Sequence, residues 1–114
     1  MVEQRGLTMA RAVALPVTEN RALARDEVHY RARAFGPDAR PVSLLIVNLS
    51  AMGLMARADV PYAVGERLRI TLPVVGVVVA ELRWSLGGRI GCELDQPIDL
   101  ADYYELLAVM LKAR

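Results

Sequence analysis

The sequence predicts a mainly β domain, a six-stranded antiparallel β-barrel with a C-terminal α-helix packed on it. Three observations carry that expectation. Apolar and polar residues alternate with period two in short runs, turn signals rich in Gly, Pro and Asp separate the runs, and no helical spacer lies between them. A helical period takes over after Pro97. With 114 residues, 54% of them hydrophobic, the chain has material for one core and little for a second.

Residues 1–20 show no clean period, because Arg5, Gly6, Arg11 and Pro16 interrupt the apolar positions, and they are expected to form a flexible N-terminal arm. Residues 21–114 then form the single domain. The first strand runs from Val28 to Phe35, with Val28, Tyr30, Ala32 and Ala34 on one face and His29, Arg31, Arg33 and Phe35 on the other. Gly36-Pro37-Asp38 turns the chain into an almost wholly apolar strand from Val42 to Val47. Gly53 to Ala58 forms the third strand, and a loop marked by Asp59, Pro61 and Gly65 leads to the fourth. There Leu68, Ile70 and Leu72 alternate with Arg67, Arg69 and Thr71. Pro73 to Gly76 contains the next reversal. The fifth strand, Val77 to Ser85, places Val78, Ala80, Leu82 and Trp84 on one face, so Trp84 is expected in the core. Gly87-Gly88 turns into the last strand, Arg89 to Leu94, where Cys92 alternates inward with Ile90 and Leu94 as a packed thiol. In the helix, Leu100, Tyr103, Tyr104, Leu107, Met110 and Leu111 form the apolar stripe, with Asp99 as the expected N-cap.

Composition narrows the function. The formal net charge is +1, far from the strongly basic balance of a general nucleic-acid binder. One cysteine excludes an intrachain disulfide and points to a reducing cytoplasm. No apolar run reaches the roughly 18 residues of a membrane span. His29 has no second His or Cys at metal-ligand spacing, and Asp99, Asp102 and Glu105 complement a helix dipole more simply than they pair as catalytic carboxylates. No nucleophile with an adjacent base appears, so the chain is read as a binding protein, not an enzyme, with no cofactor or metal.

Two short motifs carry binding chemistry. Thirteen arginines give about 1.4 Arg-x-x-x-Arg pairs by chance, so Arg21 and Arg25 mean little alone and are equally read as solvated side chains. The pattern Asp/Asn-x-Ser-x-x-Gly is rarer, expected on the order of 0.014 times in this composition, and Asn48-Leu49-Ser50-Ala51-Met52-Gly53 matches it between two apolar runs. Guanidinium groups donate in pairs to phosphate oxygens or to guanine O6 and N7 and stack on purine faces. Arg21 and Arg25 lie either on one helical turn or on an irregular segment. The Asn/Ser/Gly turn ties down its own backbone, and Gly53 accepts positive φ or a close approach.

Together with Val28, Leu54, Leu82-Arg83-Trp84 and Ile90-Gly91-Cys92-Glu93-Leu94, these motifs fall in an order that resembles the PilZ domain, the bacterial receptor module for cyclic di-GMP. The resemblance covers Arg21 to Leu94. It implies a split-barrel fold and a cyclic di-GMP ligand held by Arg21 and Arg25 on one side and by Asn48, Ser50 and Gly53 on the other. Asn48 stands where many members have aspartate. It further implies a regulatory protein whose arginine-bearing segment orders on binding and signals to a downstream protein partner. The alternatives are a PilZ-like adaptor that works by protein contacts without nucleotide, and a small-barrel nucleic-acid binder with Arg31, Arg33, Arg67 and Arg69 as its phosphate-tracking face. Oligomeric state is not written in the sequence.

Overall fold

The computed structural model describes residues 24–58 and 61–113. The arm to Asn20 and Arg21 lie outside the described residues. Among the described residues six strands form, β1 (Asp26–Phe35), β2 (Pro41–Leu49), β3 (Gly53–Ala58), β4 (Arg67–Leu72), β5 (Gly76–Leu86) and β6 (Arg89–Leu94), followed by helix α1 (Leu100–Lys112). They pair antiparallel in the order β1-β2-β3-β6-β5-β4, and β1 closes the barrel on β4 through Ala34 opposite Ile70 and Phe35 opposite Arg69.

Alternation builds the interior. On β4 the residues Leu68, Ile70 and Leu72 are buried between exposed Arg67, Arg69 and Thr71. Leu44, Ile46, Leu54, Leu82 and Ile90 are also fully enclosed, each gaining about 1.5–3 kcal/mol from burial. Ala32, Ala34, Ala56 and Ala80 fill the remaining inward positions with small side chains, which lets the ring close around the larger ones.

Three register shifts interrupt the ladders, between Glu27 and Tyr30, between Ile46 and Asn48, and between Leu82 and Trp84. The third corrects one expectation. Leu82 pairs with Cys92 and Trp84 with Gly91, so Arg83 is the extra residue and the alternation breaks there. Trp84 therefore faces outward, 39% exposed, and is not a core residue.

The helix needs a second correction. Its buried face is Tyr103, Leu106 and Met110, with Leu107 half-buried, whereas Tyr104 and Leu111 of the expected stripe are exposed. Asp99 occupies the N-cap position, yet its side chain makes no capping hydrogen bond. The anchor is Tyr103 instead. Its hydroxyl lies 2.5 Å from Asp26 Oδ2 and 2.9 Å from the Leu49 carbonyl oxygen, and donates its proton between them. Burial and the Asp26 carboxylate both raise the Tyr103 pKa. Tyr103→Phe strands the buried Leu49 carbonyl and should cost about 1–3 kcal/mol, roughly a 10 °C drop in thermal midpoint, with retained secondary structure by circular dichroism.

Cys92 is buried as expected, and burial pushes its thiol up to about 12 from the ordinary 9.0. A raised folded-state value means that the unfolded chain loses its proton first. Stability is thus fully present below pH 9.0 and falls as pH climbs from there toward about 12, with Tyr103 acting in the same direction above its ordinary 10.0. Urea unfolding between pH 8 and 11 should show a decline approaching about 1.4 kcal/mol per pH unit by pH 10, steeper above it as Tyr103 joins, and Cys92→Ser should flatten its onset.

Candidate functional site

The Asn48-to-Gly53 segment joins β2 to β3 and is fixed by its own serine. Ser50 is 2% exposed, and its Oγ accepts from the backbone N–H groups of Met52 and Gly53, both at 3.1 Å. The Ser50 N–H returns a bond to the Gly53 carbonyl at 2.8 Å. The hydroxyl is thus spent on the turn and shapes the site from beneath. The turn in its turn is locked to the barrel: Leu94 N–H donates to the Met52 carbonyl and Ile98 N–H to the Ala51 carbonyl, at 2.9 and 2.8 Å.

Gly53 is required by proximity, not by a positive φ. A Cβ built there would lie 2.4 Å from the Cys92 carbonyl oxygen, so β3 and β6 approach at this corner as only glycine permits. The close approach is to backbone of the neighbouring strand.

Arg25 precedes β1 and reaches across to β2, where its Nη1 donates to Asn48 Oδ1 at 2.8 Å. Asn48 Nδ2 lies 3.6 Å from Met55 Sδ. Two residues 23 positions apart in sequence thus meet, Asn48 facing a neighbouring hollow with Met55 and Arg89, and Arg25 lining a concavity of about 340 Å³. Arg25, Ser50, Met52 and Gly53 line it from one side, and Arg83, Trp84, Gly91, Cys92 and Glu93 from the other. The Trp84 indole lies on Gly91, where a built Cβ would come within 2.0 Å of its Nε1. Arg83 is hydrogen bonded to Glu93 Oε1 through Nε at 2.8 Å and through Nη2, and the carboxylate holds its guanidinium even more firmly protonated than usual. The concavity therefore offers two guanidinium groups, one aromatic face, one carboxylate and a rigid glycine corner. That set suits a planar, anionic ligand.

No protein-family model and no curated protein matches the sequence. Among solved structures, the chain is similar to a crystal structure of the PilZ domain of CeSA from a cellulose-synthesizing bacterium, with a TM-score of 0.55 and 12% identity. The match covers 79% of this chain and 97% of that one. The chain has the PilZ fold.

Within this PilZ barrel, four of the five residues singled out from sequence gather at one corner. Arg25, Ser50 and Gly53 line the concavity itself, Asn48 is bonded to Arg25 at its edge, and Arg21 lies outside the described residues. Sequence reasoning passed over Arg83, Trp84 and Glu93 as site residues. A signal was available for one of them: Gly91 inside a strand marks a place where something large approaches the backbone, and Trp84 is what approaches.

The remaining sites of the sequence reading are less provided for. Arg67 is bound to Asp95 at 3.0 Å and to Glu81 at 3.6 Å, which partly neutralises the proposed phosphate-tracking face, and Arg31 donates to the Ser43 hydroxyl at 3.2 Å. Among the described residues, no group of three His, Cys, Asp or Glu side chains is placed to hold a metal, and no helix is long and apolar enough to cross a membrane.

Proposed function

We propose that this protein is a cyclic di-GMP receptor that regulates by binding and catalyses nothing. The observation that carries the reading is the convergence of Arg25, Asn48, Ser50 and Gly53, chosen from sequence, on one corner of a PilZ-like barrel. Each phosphate of the ligand takes charge-assisted hydrogen bonds from arginine, with Arg25 as the inner donor and Arg21 as its companion. A guanine stacks on the exposed Trp84 face, an interaction worth about 1–3 kcal/mol for a base on an aromatic ring. Its edge then lies against the turn that Ser50 holds in place.

Arg25 stands at the first residues of the described domain, beside the segment that carries Arg21. Binding orders that segment over the barrel mouth, the ordering entropy being offset by phosphate contacts, and the ordered segment presents a new surface to a downstream protein partner in the cytoplasm.

A two-dimensional NMR titration with cyclic di-GMP tests the reading. Expected are saturable shifts of the Ser50, Met52 and Gly53 amides and of the Trp84 indole N–H, with little change at the distant β4–β5 turn. An unshifted spectrum at millimolar ligand would remove the receptor reading in favour of the nucleotide-free adaptor. Shifts centred on Arg31, Arg33 and Arg69 with single-stranded DNA would favour the nucleic-acid binder.

A further inference from the structure

A receptor for a dianion has placed a carboxylate in its own pocket. Glu93 lines the concavity beside Arg25 and Arg83, and it occupies the Arg83 guanidinium through both Nε and Nη2. That paired edge of the guanidinium is the one that would otherwise receive two phosphate oxygens. We propose that Glu93 is an internal competitor for the ligand: it holds the Arg83 fork in the empty site, and filling the site passes Arg83 from carboxylate to phosphate. This rests on the receptor reading above and adds to it a device that sets the affinity.

Exposure makes the exchange practicable. The two side chains are 58% and 47% exposed, so water and salt hold the pair loosely, and a stronger anion can replace it. Register gives the exchange a cost. Glu81 stands directly opposite Glu93 across the β5–β6 ladder, and like charges facing each other in a sheet repel. The Arg83 guanidinium feels both carboxylates, and once it turns to the ligand that offset is lost, with Arg67 still 3.6 Å from Glu81. The empty state is thereby favoured, and the messenger must reach a threshold concentration before Arg83 changes partner.

Calorimetric titration of cyclic di-GMP into the wild-type protein, Glu93→Gln, Arg83→Ala and the double variant tests this. Glu93→Gln should bind roughly three- to tenfold tighter and Arg83→Ala roughly tenfold weaker, as expected for gaining or losing one charge-assisted contact. The gain from Glu93→Gln should vanish in the Arg83→Ala background, because the carboxylate acts through that arginine. Binding seen only in Glu93→Gln would also support the exchange. A gain that persists without Arg83 would overturn it, as would a Glu93→Gln variant that binds like or worse than wild type, and both outcomes leave the receptor reading standing. Absence of binding by wild type and Glu93→Gln alike would overturn the receptor reading and the competitor with it. Both positions are exposed, so thermal melts of the variants should match wild type and exclude misfolding as the cause.

Discussion

Gly53→Val should lower stability by about 3 kcal/mol and the thermal midpoint by on the order of 15 °C. The reason is a backbone contact, which no rotamer change relieves. A Cβ at this position lies 2.4 Å from the Cys92 carbonyl oxygen, so β3 must part from β6 where Gly53 pairs with Glu93. Separation also pulls on the turn, since the Gly53 N–H and carbonyl bond to Ser50 Oγ and the Ser50 N–H at 3.1 and 2.8 Å. Against a typical total of about 5–15 kcal/mol, such a loss leaves a protein that folds at low temperature with a disturbed corner. Thermal unfolding followed by circular dichroism reads the effect, and a midpoint within 3 °C of wild type would show the seam to be far more yielding than its spacing implies. Gly53 thus serves the packing of the barrel.

Arg25→Ala should do the reverse, leaving the fold intact and weakening cyclic di-GMP binding on the order of a hundredfold, or about 3 kcal/mol. In the empty protein its one described bond, to Asn48 Oδ1, is exposed, and such bonds contribute little to stability. In the proposed complex the same guanidinium would face a phosphate in a partly enclosed concavity, where charge-assisted bonds gain strength. Calorimetry on the variant reads the loss, and unchanged tight binding would remove Arg25 from the site. Arg25→Lys should recover only part of the affinity, because an ammonium cannot present the paired donors. The contrast with Gly53→Val is the useful part: one substitution melts the corner and the other empties it.

The barrel was written plainly where inside and outside alternate without interruption, as from Arg67 to Leu72. The turn from Asn48 to Gly53 was equally plain, because the serine, the glycine and the residues they bond lie within six positions. What the sequence hid was non-local. Period two, continued from Val78, points Trp84 inward, and the extra residue at Arg83 that turns it outward shows only in the pairing with Cys92 and Gly91. The helix stripe failed for a related reason. Leu100 through Leu111 carries apolar residues around much of its circumference, so periodicity alone fits more than one face, and the neighbour selects Tyr103, Leu106 and Met110. Glu93 and Arg83 are ten residues apart, and their partnership depends on the hairpin between them. Chemistry confined to one turn was readable from its residues, the meeting of Arg25 and Asn48 followed only from the resemblance, and the contacts of Arg83, Trp84 and Glu93 across β5 and β6 were not readable.

The ring of strands closes at a short seam, where β1 meets β4 only through Ala34 with Ile70 and Phe35 with Arg69. Closure there shortens the edge along which another polypeptide could extend the sheet with a strand of its own, the mode open to many small β domains. On the receptor reading, a protein partner would grip mainly side chains, turns or the helix surface, where the proposed nucleotide would act.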